Sequence, residues 1–180
     1  MKIRYGPHEK SVMHEHPDAV AVFINDSHAK FTMPDGSNMP SEKKAGEAQF
    51  TPAGKHLPEN VGTKPFDVVL VELKGKPGSA AAVSIDPVKV DPEHHAVVFE
   101  NDRVRVLRIK FGPHDKTKQH DHPNGVSVPI TGGQSKITTA DGKTRTGGGE
   151  VGAATWLSAE RHIVENPSAK AAEVILVELK

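Results

Sequence analysis

Residues 6–17 read "GPHEKSVMHEHP", and residues 112–123 read "GPHDKTKQHDHP". Each stretch carries three histidines: His8, His14 and His16 in the first, His114, His120 and His122 in the second. The likeness extends far beyond the two phrases. At a shift of 106, residues 1–74 overlie residues 107–180 without a gap, and about 28 of the pairs are identical, too many for chance. The copies close on "VVLVELK" and "VILVELK". The chain is an internal duplication, and its simplest product is two similar domains, 1–74 and 94–180, joined by a linker at 75–93.

The pattern inside each copy is that of short strands. "AVAVFI" and "GVSVPI" are short and rich in β-branched residues, and "AKFTMPDGS" and "SKITTADGK" each place Asp-Gly directly after a strand, a hairpin signal. Long helical periodicity is missing, and 14 prolines with 16 glycines oppose it. The expected class is all-β, a sandwich or barrel. The second copy has a preface, "HHAVVFENDRVRVLRIK" (94–110), that reads as two strands around a turn at 100–102. The first copy starts within the matching second strand, so its opening strand is expected to be missing, or to come from residues 80–90 or from a neighbouring subunit.

Composition removes several classes of function. The 23 basic and 23 acidic residues balance, which gives no electrostatic footprint for nucleic acid or an anionic membrane. No apolar run is long enough to span a bilayer, and residues 1–20 do not read as a secretory leader, so a cytoplasmic location is expected. With no cysteine, disulfides, thiolate metal sites and thiol catalysis are excluded.

Few polar residues are retained between the copies. His8, His14, His16, His56, Glu59 and Asn60 overlie His114, His120, His122, His162, Glu165 and Asn166. On a strand, His14 and His16 leave the same face, and a barrel can return His56 to that interior. A lone H-x-H reads as a hydrogen-bonded or exposed pair. With a third histidine, retained in both copies, the pattern reads as a facial ligand set for a divalent transition metal: His14, His16 and His56 in one barrel, His120, His122 and His162 in the other. His8 and His114 are candidates for an extra ligand, a hydrogen-bond partner to one, or a place at the rim. Glu59 and Glu165 are candidate acceptors for ligand histidines or a general base, or else loop carboxylates. Asn60 and Asn166 are expected to satisfy backbone groups near a turn. Glu72, in "VELK", is expected to face outward. Phe50 and Trp156 are expected to pack inside, His28, His94 and His95 to lie on the surface, and "TGGGEVG" (146–152) to form a flexible hairpin loop.

These motifs resemble those of the cupin superfamily. Gly6, His14 and His16 resemble its first motif, and Gly46, Pro52, Gly54, His56 and Asn60 its second. In the second copy, Gly112, His120, His122 and Gly133 resemble the first motif, and Gly152, His162 and Asn166 the second, with Ser158 and Glu160 in place of its proline and glycine. The resemblance implies two tandem jelly-roll barrels, a bicupin. Cupin metal sites typically add a glutamate, but Val20 and Val126 stand at its position. A site of three neutral imidazoles is expected to favour Zn, Ni, Cu or Fe(II) over Mn or Mg.

Two functions stay open at this level. One is a metal-dependent dioxygenase or isomerase acting on a small molecule. The other is a binding or sensing module without turnover. If only one site works, the more intact second motif favours the N-terminal one. A homo-oligomer, most simply a dimer, is expected from the incomplete barrel edge.

Overall fold

The computed structural model describes residues 1–75 and 83–180. It divides the chain into two compact units, Met1–Gly75 and Lys76–Lys180. The first contains β1 (Lys2–Tyr5), β2 (His14–His16), β3 (Ala19–Phe23), β4 (Ser27–Thr32), β5 (Asn38–Lys43), β6 (Ala48–Thr51), β7 (Gly54–Asn60) and β8 (Phe66–Glu72). The second opens with a short helix α1 (Pro87–Val90) and β9 (His95–Glu100). It continues with β10 (Val104–Phe111), β11 (His120–His122), β12 (Gly125–Pro129), β13 (Gly133–Thr139), β14 (Thr144–Gly149), β15 (Thr155–Leu157), β16 (Glu160–Glu165) and β17 (Ala172–Leu179). No helix among the described residues is long and apolar enough to cross a membrane.

Each unit is a jelly-roll barrel of two antiparallel sheets. The first unit has the orders β1-β8-β3-β6 and β2-β7-β4-β5, and the second has β9-β10-β17-β12-β15 and β11-β16-β13-β14. The shift of 106 carries every strand of the first unit onto a strand of the second. Asp35-Gly36 and Asp141-Gly142 turn the β4–β5 and β13–β14 hairpins, with both glycines at positive φ. Leu107, Ile109, Phe111 and Leu176 form the core cluster of the second barrel, with Leu157, Val164 and Val174 packed against it. Tyr5, Ala29 and Phe66 do so in the first, with Phe31 and Val68. Each large apolar side chain buried this way contributes about 1.5–3 kcal/mol.

β9 has no counterpart among the described residues of the first unit, where β1 is an edge strand. Residues 83–90 do not supply one. They belong to the second unit, where Asp121 accepts hydrogen bonds from the Ser84 and Ile85 amides and α1 follows. Residues 76–82 lie outside the described part of the chain.

Three expectations are corrected here. Trp156 is 56% exposed, because Leu157, next to it on β15, takes the inward-facing position and strand neighbours alternate faces; Phe50 is only partly buried. "TGGGEVG" is not simply a loop, since its first four residues lie in β14, paired with β13. A Cβ on Gly147 would meet Ile137 Cδ1 at 2.5 Å, and Gly148 has φ 83°, so glycine is what lets this strand approach its partner. Glu178, the copy of Glu72, faces inward and is buried. On β17 it shares parity with the core residues Val174 and Leu176.

The retained Gly-Pro-His phrases have a structural role. Gly6–Glu9 and Gly112–Asp115 are turns closed by the Glu9 and Asp115 amides donating to the Gly6 and Gly112 carbonyls. His8 (φ 58°) and His114 (φ 61°) fill the left-handed position, which histidine tolerates better than most residues. Buried Asn60 and Asn166 lock these turns to the end of the late hairpin. Asn60 Nδ2 donates to the Gly6 and Lys64 carbonyls, and Asn166 Nδ2 to those of Gly112 and Lys170. Their Oδ1 atoms accept from the Gly62 and Ser168 amides. Asn166→Ala should therefore strip several buried bonds at once. A loss of about 2–3 kcal/mol in urea unfolding is expected, against about 0.5 kcal/mol or less for the exposed control Gln119→Ala.

Candidate metal centre

β11 carries His120 and His122, and period-2 alternation aims both into the second barrel. Antiparallel pairing places His120 opposite His162 on β16. The rings of His120 and His122 lie 4.7 Å apart, and that of His162 lies 5.0 and 5.3 Å from them. A fourth imidazole joins them. His95, at the start of β9, sits 4.6 Å from His120 and 5.9 Å from His122. The ligand atoms of His95, His120 and His122 all fall within 4.8 Å of one another, and all three residues are buried.

The placement of His95 corrects its reading as a surface residue, and His94 beside it is mostly buried, its Nδ1 2.9 Å from Asp91. His95 lies in the preface, outside the overlaid residues 1–74 and 107–180, so the duplication carries no signal for it. The one available signal was its position at the head of a β-branched strand.

Each of the four imidazoles turns Nδ1 towards an acceptor. His120 Nδ1 donates to the Lys118 carbonyl at 2.7 Å and His95 Nδ1 to the Asp91 carbonyl at 3.1 Å. His122 Nδ1 donates to Glu178 Oε1 at 2.6 Å, and His162 Nδ1 faces Glu160 Oε2 at 3.2 Å. Glu178 is itself held by Arg105 Nε at 2.5 Å, and Arg105 also reaches Asp86 at 3.0 Å. A carbonyl can only accept, so Nδ1 of His95 and of His120 carries the proton and the Nε2 lone pair is left free. His120 Nε2 is buried without a hydrogen-bond partner. A buried, unpartnered nitrogen among converging imidazoles fits the donor set of a metal ligand.

The electrostatics agree with the geometry. Burial, reinforced by the neighbouring imidazoles, pushes His120 down to about 3. Burial likewise takes His95 to about 4, and it lowers His162. These rings are neutral at pH 7, the form that binds metal. Burial alone would raise the Glu178 carboxyl, but hydrogen bonds from His122 and Arg105 outweigh it and hold it below its ordinary value. The centre lies in the wall of a cavity of about 470 Å³ within the second barrel.

The first barrel repeats part of this plan. β2–β7 pairing puts His14 opposite His56. The His56 ring lies 5.2 Å from His14 and 4.9 Å from His16. Burial, then the two neighbouring rings, lowers His56 to about 4. All three are only partly buried, and no described residue stands where His95 does in the second unit. His14 Nδ1 donates to the Val12 carbonyl and His16 Nδ1 to that of Pro17. Glu72 pairs with Lys74 at 3.1 Å. Among the described residues, the buried cluster therefore lies in the C-terminal barrel.

The remaining candidates stand apart from the cluster. His8 and His114 are exposed in their turns. Glu59 pairs with Lys30 at 3.0 Å, and Glu165 lies 3.9 Å from Lys136. Glu165 shares strand parity with Arg161, opposite to His162. His28 is exposed beside Glu42.

Neither protein-family models nor curated proteins give a match to this sequence. Solved structures do. AerE from Microcystis aeruginosa superposes with a TM-score of 0.73 at 12% identity, covering 98% of this chain and 85% of its own. An oxalate decarboxylase from Bacillus subtilis, described with Mn(II) centres, gives 0.65 at 12% identity over 99% of this chain and 68% of its own. A cupin 2 conserved barrel domain protein from Leptotrichia buccalis gives 0.57 at 10% identity over 99% and 82%. At such identities the likeness is one of fold: each barrel has the jelly-roll fold of these cupin structures, with the two histidine motifs on matching strands.

Proposed function

We propose that the second barrel binds a divalent transition metal and that the chain acts on a small molecule held in the adjoining cavity. The observation that carries this reading is the buried, partnerless Nε2 of His120 among three other imidazoles. His95, His120 and His122 would hold the ion, with His162 beside them. His14, His16 and His56 form a second, poorer site, because they are less buried and lack a fourth histidine. When bound, the metal supplies Lewis-acid or redox chemistry of the kind that dioxygenases and isomerases use. The chain's own part is to fix the rings, exclude water and position the ligand. An all-nitrogen donor set favours Zn, Ni, Cu or Fe(II). The Mn(II) centres of the oxalate decarboxylase keep Mn among the ions to be tested.

A second reading is binding without turnover. It draws on the two carboxylates nearest the cluster. Glu178 is held by Arg105, and Glu160 by Arg145. Neither stands free as a general acid or base.

Metal content of untagged protein should separate the barrels. One tightly held ion per chain is expected, lost in His120→Ala and in His95→Ala but kept in His14→Ala. An ion lost in His14→Ala and kept in His120→Ala would reverse the assignment. Glu178→Gln removes the acceptor charge behind His122 and should weaken metal affinity about 10–100-fold; an unchanged affinity would deny Glu178 any role in orienting the ring.

In metal-free protein the neutral histidines also set a pH dependence. The unfolded chain takes up protons near the ordinary value of 6.5, whereas folded His120 and His95 refuse them until about 3 and about 4. Stability is full above about pH 6.5 and falls as pH drops towards those values. The urea midpoint of the second unit should thus be lower at pH 5 than at pH 7.5. An equal midpoint would contradict neutral burial.

A further inference from the structure

The cavity of the second barrel is apolar over much of its wall, with Ile109, Phe111, Leu157, Val164, Val174 and Leu176 among its lining. Among the described lining residues, Arg145 is the one arginine or lysine. It enters from β14, where it pairs with the buried Ile137 of β13, itself part of the same wall. The Arg145 guanidinium binds the Glu160 carboxylate, which also lines the cavity and faces His162 Nδ1. One carboxylate thus separates the only such cation from the histidine cluster.

The duplication supplies a comparison within the chain. Arg145 and Glu160 overlie Met39 and Gly54, so the first barrel has neither member of the pair. The pair occurs in the barrel whose histidines are buried and fourfold.

We propose that this cavity takes an amphipathic monocarboxylate, its acid group held by Arg145 in exchange for Glu160 and its apolar body lying against the inner wall. The inference rests on the reading of this barrel as the ligand-binding one, but it does not require the metal. A guanidinium fork matches a planar carboxylate with two parallel hydrogen bonds. The Arg145 side chain is 45% exposed, so its bond to Glu160 is a partly solvated ion pair of small net worth, readily exchanged for another carboxylate. The wall decides the rest of the ligand. A compact dianion such as oxalate would leave the apolar lining unfilled, whereas a six-carbon or aromatic body would cover it.

Calorimetric titration of the full chain with phenylacetate, phenylacetamide and oxalate tests this, with the protein both metal-free and Zn-loaded. Phenylacetate is expected to bind metal-free protein at least about tenfold more tightly than either other probe, the difference expected of a charged hydrogen bond. Arg145→Met, which installs the residue of the first barrel, should remove that preference. Arg145→Lys should restore part of it. Glu160→Gln, which removes the competing charge, should tighten phenylacetate binding. Equal binding of phenylacetate and phenylacetamide would overturn the proposal, as would a preference that survives in Arg145→Met or arises only with Zn. Zn uptake is measured on the same samples. A failed metal reading shows as absent Zn uptake, and a failed carboxylate reading as absent discrimination in protein that still takes up Zn.

Discussion

Four imidazoles share the interior of the second barrel, and each gives its Nδ1 to an acceptor. This one arrangement constrains most of what surrounds it. Burying a ring requires that its N–H be satisfied, and the acceptors are the Lys118 and Asp91 carbonyls and the Glu178 and Glu160 carboxylates. Burying Glu178 in turn requires Arg105, and Arg105 is shared with Asp86 at the N-cap of α1. The chain of partners runs from the buried histidines back into the segment that precedes the barrel. It ties up Nδ1 in each ring, and one ligand atom from each of His95, His120 and His122 lies within 4.8 Å of the others.

That chain of partners explains why two copies of one sequence are not two copies of one site. The first barrel keeps the H-x-H strand, the opposing histidine and the matching glutamate, Glu72. Among its described residues it has no counterpart of β9, of His95 or of Arg105. Glu72 consequently pairs with Lys74 rather than with a ring. The retained motif is necessary for the cluster, and the strand and the arginine that come before it complete it.

The fold was legible because duplication doubles every signal. The Asp-Gly turns, the β-branched runs and the H-x-H pairs each occur twice in the same order, and all fall on matching strands. The same method missed what is not duplicated. His95 is not duplicated, and the outward orientation expected of Glu72 fails at its copy Glu178, which is buried because His122 and Arg105 satisfy its carboxylate. His8 and His114 are conserved between copies for a backbone reason, a left-handed turn position, which residue type alone does not disclose. Trp156 shows the limit of reading burial from hydrophobicity, since strand parity, not residue character, put it outside.

The central claim is that His95, His120 and His122 offer Nε2 to one metal ion. Long-range nitrogen–proton spectra of the histidine side chains, recorded before and after one equivalent of Zn(II), test it directly. The account predicts Nδ1–H tautomers for all three rings in metal-free protein, and Nε2 resonances that shift together on addition of Zn. Shifts confined to His14, His16 and His56, with His95 and His120 unmoved, would contradict it.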